Sequence, residues 1–186
     1  MKILQIHIYK LSIPMVPFRI ATGTMHHAQN LFIQIETDEG LTGVGECSAF
    51  PMIVGETQST CFEMAKDFAA CWKNKDALDI PMRMQELDNF TAFNSTVKSA
   101  FDMALYDLAA KKAGLPLYKY LAGEIKPLET DLTIGIGEPE EMALKAVEFK
   151  KKGVRIIKIK LGKNGNEDLR RVQMIRAAVG DSIRLR

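Results

Sequence analysis

Apolar and polar positions alternate from the start of the chain. Leu4, Ile6 and Ile8 are separated by Gln5, His7 and Tyr9, the period of two that predicts a strand with one face toward a core. Leu31, Ile33 and Ile35 repeat the pattern. After Asp38-Glu39-Gly40 the chain returns through residues 41–46, so a hairpin is expected there. Between the first two strands, residues 14–24 read as a long connection, of the kind that in compact domains is usually a functional lid or disordered.

The period then changes to that of a helix. Cys61, Ala65, Phe68, Ala69 and Trp72 share one stripe, with Thr60 and Glu63 as the expected capping-box start. A short amphipathic segment surrounds Met84 and Leu87. The clearest helix starts near Ser95 and carries Val97, Phe101, Ala104, Leu105 and Leu108 inward. Gly114-Leu115-Pro116 is its stop signal. A further helical turn covers residues 117–121 and ends at Gly123. Residues 1–125 therefore read as an α+β domain, a three-strand meander followed by helices.

After Pro127 strands and helices alternate. The strand at residues 131–136 is followed by a helix at 139–152 with Met142, Ala143, Ala146 and Phe149 inward, then Gly153. A strand at 155–161, a helix at 167–179 and a strand at 182–186 complete the series. This is the rhythm of a parallel α/β sheet. Such a sheet is normally covered on both faces, and a closed eight-unit barrel takes about 250 residues. Residues 126–186 thus read as the first βα units of a (β/α)-barrel, and the 186-residue chain as the front half of a larger protein.

Composition narrows the function. Twenty-five basic against 23 acidic side chains leave a charge of +2, which gives no electrostatic reason to expect nucleic acid or an acidic membrane as partner. No apolar run has the length of a membrane span, and residues 1–7 lack a signal-peptide core. Cys47, Cys61 and Cys71 cannot all pair, so buried free thiols and a cytoplasmic location are expected.

Lys158 and Lys160 carry the chemical signal. Two residues apart on a strand, they share one face, with β-carbons about 7 Å apart. Ile157, Ile159 and Leu161 take the other. On the preceding strand Leu132, Ile134 and Ile136 likewise oppose Asp131, Thr133 and Gly135. A solvated strand face is the default for an arbitrary K-x-K, but parallel strands are seldom solvated on either side. In a barrel this face is the interior, and the carboxyl ends of the strands form the active-site rim. Two ammonium groups so close repel each other, which favours the free amine that a base requires. His26 and His27 point apart on an extended chain and are assigned to the surface. Gly43-Val44-Gly45 and Gly135-Ile136-Gly137 are too short for a dinucleotide fingerprint, and Asp102 and Asp107 read as solvated or capping residues.

These residues carry a resemblance. Ile157-Lys158-Ile159-Lys160-Leu161-Gly162 resembles the K-x-K of the enolase superfamily, muconate-lactonizing branch. Residues 98–108 with Gly114-Leu115-Pro116-Leu117 are similar to the end of that branch's capping domain. Thr130-Asp131-Leu132-Thr133-Ile134 followed by Glu138-Pro139-Glu140-Glu141-Met142 is similar to its dipeptide epimerases. The resemblance implies an α+β capping domain followed by an incomplete barrel, and a Mg²⁺-dependent epimerase acting on a dipeptide. It makes Lys160 the base that removes or returns the α-proton, Lys158 the partner of the substrate carboxylate, and Thr133 a substrate neighbour. Residues 18–24, with Arg19 and Gly23, and residues 50–55, with Phe50 and Ile53, match the two loops that set specificity. It places the Mg²⁺ ligands and the opposing base beyond Arg186, so this chain alone is expected to hold no metal and to be inactive. A homo-oligomer is the expected assembly.

Thr22-Gly23-Thr24 has no charge and Phe50-Pro51-Met52-Ile53-Val54 is apolar, so an uncharged, aliphatic second residue is expected in the substrate. The open alternatives are a muconate cycloisomerase or o-succinylbenzoate synthase-like enzyme on the same scaffold, a Schiff-base aldolase, or an inactive fragment acting as a binding module.

Overall fold

The computed structural model describes residues 1–162 and 164–186, which fall into two compact units. The first comprises Met1–Pro14 and His27–Ile125, the second Met15–His26 and Lys126–Arg186.

Strands β1 (Ile3–Ile20), β2 (Gly23–Thr37) and β3 (Thr42–Ser48) form one sheet in that order, and β2 pairs antiparallel with β3. The expected long connection at residues 14–24 is absent. Both strands run on to a two-residue turn at Ala21-Thr22. Pro14 and Pro17 do not stop β1, in keeping with its place at the sheet edge, where a missing N–H donor is tolerated. The period of two also breaks early: Ile3 is buried, whereas Leu4, assigned to the core, is exposed. Ile6 and Ile8 pack against the core from partly buried positions.

After the short helix α1 (Pro51–Val54), helix α2 (Gln58–Trp72) starts earlier than expected. Thr57 is its N-cap and Thr60 closes the capping box, while Glu63 pairs instead with Lys66. Cys61, Ala65, Phe68 and Trp72 form the buried stripe. Helices α3 (Ile80–Phe90), α4 (Ser95–Lys112) and α5 (Leu117–Tyr120) follow. Asp79 caps α3 by accepting the Met82 N–H. Helix α4 has no cap from its own Asn94; the buried Glu56 carboxylate accepts the Thr96 N–H at 3.2 Å and its hydroxyl at 3.0 Å. Gly43 and Gly45 let β3 lie directly against α4, because a Cβ at either would stand 2.2 and 1.9 Å from the Ala104 and Ala100 carbonyl oxygens. Phe101 meets Phe68 and Trp72 edge-on, with centroids 5.5 and 5.1 Å away, at the centre of this core.

In the second unit β4 (Leu132–Ile134), β5 (Ile156–Ile159) and β6 (Arg184–Leu185) form a parallel sheet in sequence order. They alternate with α6 (Pro139–Lys151) and α7 (Gly165–Val179). Proline at the first turn, two glutamates beside it and lysines in the last turn suit the α6 dipole. Asn164 caps α7 by accepting the Asn166 and Glu167 N–H groups. Ile134, Met142, Ala146, Phe149, Ile157, Ile175 and Val179 make the core. Leu132 and Leu161, expected on the same face as Ile134 and Ile157, are exposed: Leu132 is the first residue of β4 and Leu161 lies beyond β5. Among the described residues no helix is long and apolar enough to cross a membrane.

Candidate active site

The site grows from the register of β4 and β5. Thr133 pairs with Lys158, and the Lys160 N–H continues the ladder by donating to the Ile134 carbonyl at 3.0 Å. Alternation therefore puts Thr133, Lys158 and Lys160 on the face opposite buried Ile134 and Ile157. Both lysines are half-buried, and neither ammonium meets a carboxylate among the described residues. They are free to meet a carboxylate brought by a ligand.

Residues Met15–His26 belong to this unit and cross the carboxyl ends of its strands. The Arg19 carbonyl accepts the Ile136 N–H at 3.0 Å, and Gly135 admits the approach because a Cβ there would stand 3.1 Å from the same oxygen. A Cβ at Gly162 would meet that of Ala21 at 3.6 Å. The hairpin end thus spans from β4 to Gly162, three residues past β5, and on its β4–α6 side a cavity of about 450 Å³ is lined by Val16, Phe18, Arg19, Thr133, Gly135 and Glu141, among others. Gly23 opens β2 in this unit and is half-buried, and the Arg19 side chain is exposed. The structure therefore brings Lys158, Lys160, Thr133, Arg19 and Gly23 into one unit. Phe50 and Ile53 lie in the other. Phe50 precedes α1, its carbonyl accepting the Ile53 and Val54 N–H groups, and Ile53 is exposed with Met52 and Val54 beside it. His26 and His27 are both exposed.

The donor set present does not suit Mg²⁺. Among the described residues no group of three or more His, Cys, Asp or Glu is placed to hold a metal. Asp131, the carboxylate expected on the inner face, is engaged by the Arg186 guanidinium at 3.2 Å. One carboxylate already held by an arginine is a poor Mg²⁺ site.

A network at the strand ends escaped the sequence reading. Arg171, buried on α7, donates to the Gly137 carbonyl, to Asp168 and to Glu167, and Asp168 also accepts the Gly162 N–H. Glu167 and Asp168 stand four and three residues before Arg171, a spacing that pairs side chains on a helix and could have flagged it.

Comparison with known proteins gives this geometry a setting. Residues 3–122 match the family described as mandelate racemase / muconate lactonizing enzyme, N-terminal domain. The D-Ala-D/L-Ala epimerase of Cytophaga hutchinsonii is 44% identical over 188 residues, covering 100% of this chain and 51% of that protein. A crystal structure of the dipeptide epimerase from the same organism, complexed with Mg and D-Ala-L-Val, aligns with a TM-score of 0.98, 44% identity and the same coverage of both chains. The hydrophobic dipeptide epimerase of Enterococcus faecalis is 41% identical over all of this chain and 53% of its own length. The L-Ala-D/L-Glu epimerase of Bacillus subtilis is 33% identical, over 100% of this chain and 52% of its own. The chain spans about half the length of the curated relatives it matches. The α+β unit and the parallel βα units after it agree with this kinship: the chain belongs to the mandelate racemase / muconate lactonizing enzyme family of the enolase superfamily.

Proposed function

We propose that this chain is the amino-terminal part of a Mg²⁺-dependent dipeptide epimerase, and that Lys160 and Lys158 are its working residues. The observation that carries the reading is the pair of half-buried lysines, unpaired with any carboxylate among the described residues, beside Thr133 on the polar face of a parallel sheet.

The α-proton of a carboxylate is weakly acidic, and its loss places a second negative charge on a small group. Lys160, as the free amine, takes or returns that proton on one face of the α-carbon, and Lys158, as the ammonium, lies against the carboxylate. A base on the opposite face, supplied by sequence beyond this chain, completes the inversion. Mg²⁺, held by residues outside this chain, would supply electrophilic stabilisation of the developing negative charge, the pattern of enolase-superfamily sites. The free thiols Cys47, Cys61 and Cys71 fit a reducing compartment such as the cytoplasm.

The preferred second residue of the dipeptide is uncharged and aliphatic. Residues 22–24 carry no charge, and Met52, Ile53 and Val54 offer an exposed apolar surface on the segment matching the second specificity loop. The Cytophaga and Enterococcus relatives, named for Ala-Ala and hydrophobic dipeptides, support this more than the less similar Ala-Glu epimerase. Arg19 is the cation that would favour Ala-Glu instead.

The test is made on a full-length protein carrying the second half. Lys160→Ala is expected to lower kcat by about 10² to 10⁴ with the fold intact; a loss of less than about tenfold overturns the assignment. In the same assay kcat/KM for Ala-Val or Ala-Leu is expected to exceed that for Ala-Glu. A clear preference for Ala-Glu overturns the loop argument and points to Arg19.

A further inference from the structure

The network around Arg171 lies at the carboxyl ends of the two strands that carry Thr133 and Lys160. Arg171 is 4% exposed. Its Nε donates to the Gly137 carbonyl at 2.9 Å, Nη1 to Asp168 Oδ1 at 2.8 Å and Nη2 to Glu167 Oε2 at 2.9 Å. Asp168 Oδ2 accepts the Gly162 N–H at 2.8 Å. Gly137 lies three residues after the end of β4, and Gly162 two residues after Lys160. Gly162 has φ of +119°, a conformation that glycine adopts without strain. Gly162 thus takes a backbone conformation open chiefly to glycine just past the lysine pair, and a side chain from α7 holds its N–H.

A buried ion pair is a weak source of net stability, since desolvation offsets most of the attraction. Two of these four hydrogen bonds end on backbone groups three residues past the ends of β4 and β5. We infer that Asp168 and Arg171 are positioning residues for Lys160, tying the backbone after the lysine to the end of β4. The inference rests on Lys160 being the base. Lys160 is anchored from behind by its own N–H on Ile134 and from ahead by Gly162 on Asp168. Released at Gly162, the amine loses its aim, and a 1 Å displacement of a reacting group costs about 100-fold in rate.

A base serving one face of the α-carbon makes the test selective. In the full-length enzyme with Mg²⁺, exchange of the dipeptide α-proton with solvent deuterium is followed separately from each epimer. Lys160→Ala identifies the epimer whose proton Lys160 takes. Asp168→Ala is expected to slow exchange from that same epimer by about 10- to 100-fold, with its KM little changed and exchange from the other epimer preserved. Asp168→Asn, which keeps an acceptor for Gly162, recovers part of the loss. Where Asp168→Ala does not fold, Arg171→Lys, which keeps the charge but breaks the fork, carries the same comparison. A normal Lys160→Ala result with a symmetric or absent effect at Asp168 and Arg171 overturns the positioning role. If Lys160→Ala shows no selectivity between epimers, the base assignment itself falls, and this inference with it.

Discussion

The two units cover their sheets differently, and the difference separates packing from chemistry. In the first, β3 presents Gly43 and Gly45 to α4 so closely that backbone lies on backbone, around a core of Phe68, Trp72 and Phe101. Two of its buried polar groups serve helix ends, Glu56 at the start of α4 and Lys98 at the Thr91 carbonyl after α3. In the second, a short parallel sheet sends Ile134 and Ile157 into a small apolar core and keeps two lysines on its other face. Packing accounts for the close approach of β3 and α4 in the first. It gives no reason for lysines at 158 and 160, which is why that face is the one to read for function.

The largest expected effect tests the depth of the two cores. Phe101 is fully buried between two aromatic rings, whereas Phe149 is 8% exposed at the margin of the smaller core. Phe101→Ala should cost about 4 kcal/mol of unfolding free energy, and Phe149→Ala about 3 kcal/mol or less. Urea unfolding of each variant measures this. Equal losses would mean that the second core is as well filled as the first.

A smaller effect tests the glycines. A Cβ at Gly45 would collide with a carbonyl of α4, and neither backbone can yield without moving a whole helix. Gly45→Ala should cost about 3 kcal/mol. The Cβ added by Gly135→Ala meets the Arg19 backbone at 3.1 Å, in a hairpin end that can shift by a few tenths of an ångström, so about 1 kcal/mol is expected. If Gly135→Ala proves the costlier change, the hairpin end is held more rigidly than the helix.

Much of this was legible in the chain. The stripe of α4, the order β4-α6-β5-α7-β6 and the shared face of Lys158 and Lys160 all follow from periods of 3.6 and 2. The hairpin at residues 14–24 was not, because two prolines normally mark a loop and only their position on an edge strand makes them harmless. Leu4 misled for a different reason: the period of two breaks at the start of β1, where Ile3 takes the buried place while Ile6 and Ile8 keep the expected face. Gly43-Val44-Gly45 held a packing signal that a search for phosphate loops could not recognise. The Asp168–Arg171 network needed the structure, since its partners Gly137 and Gly162 are backbone groups without a signature of their own.

The smallest expected effect concerns charge within the first unit. Two aspartates on α4 were expected to be solvated or capping, and they differ. Asp107 accepts the Val44 N–H at 2.9 Å and pairs with Lys111, so its charge is met. Asp102 is half-buried without a hydrogen-bond or ion-pair partner among the described residues, and burial raises its carboxyl above the usual 3.8. A carboxyl raised in the folded state binds its proton more tightly there than in the unfolded chain. Between the usual value and the raised one, stability therefore falls as pH rises, and above that window the full penalty of the buried charge remains. Asp102→Asn removes the charge while keeping the shape. At pH 7 it should raise stability by less than about 1 kcal/mol, since solvent still reaches the group. At about pH 3, below the usual carboxylate value, the advantage should vanish. Urea unfolding at the two pH values decides it: a variant less stable than the parent at pH 7 would mean that the Asp102 carboxylate is held by favourable contacts, as Asp107 is.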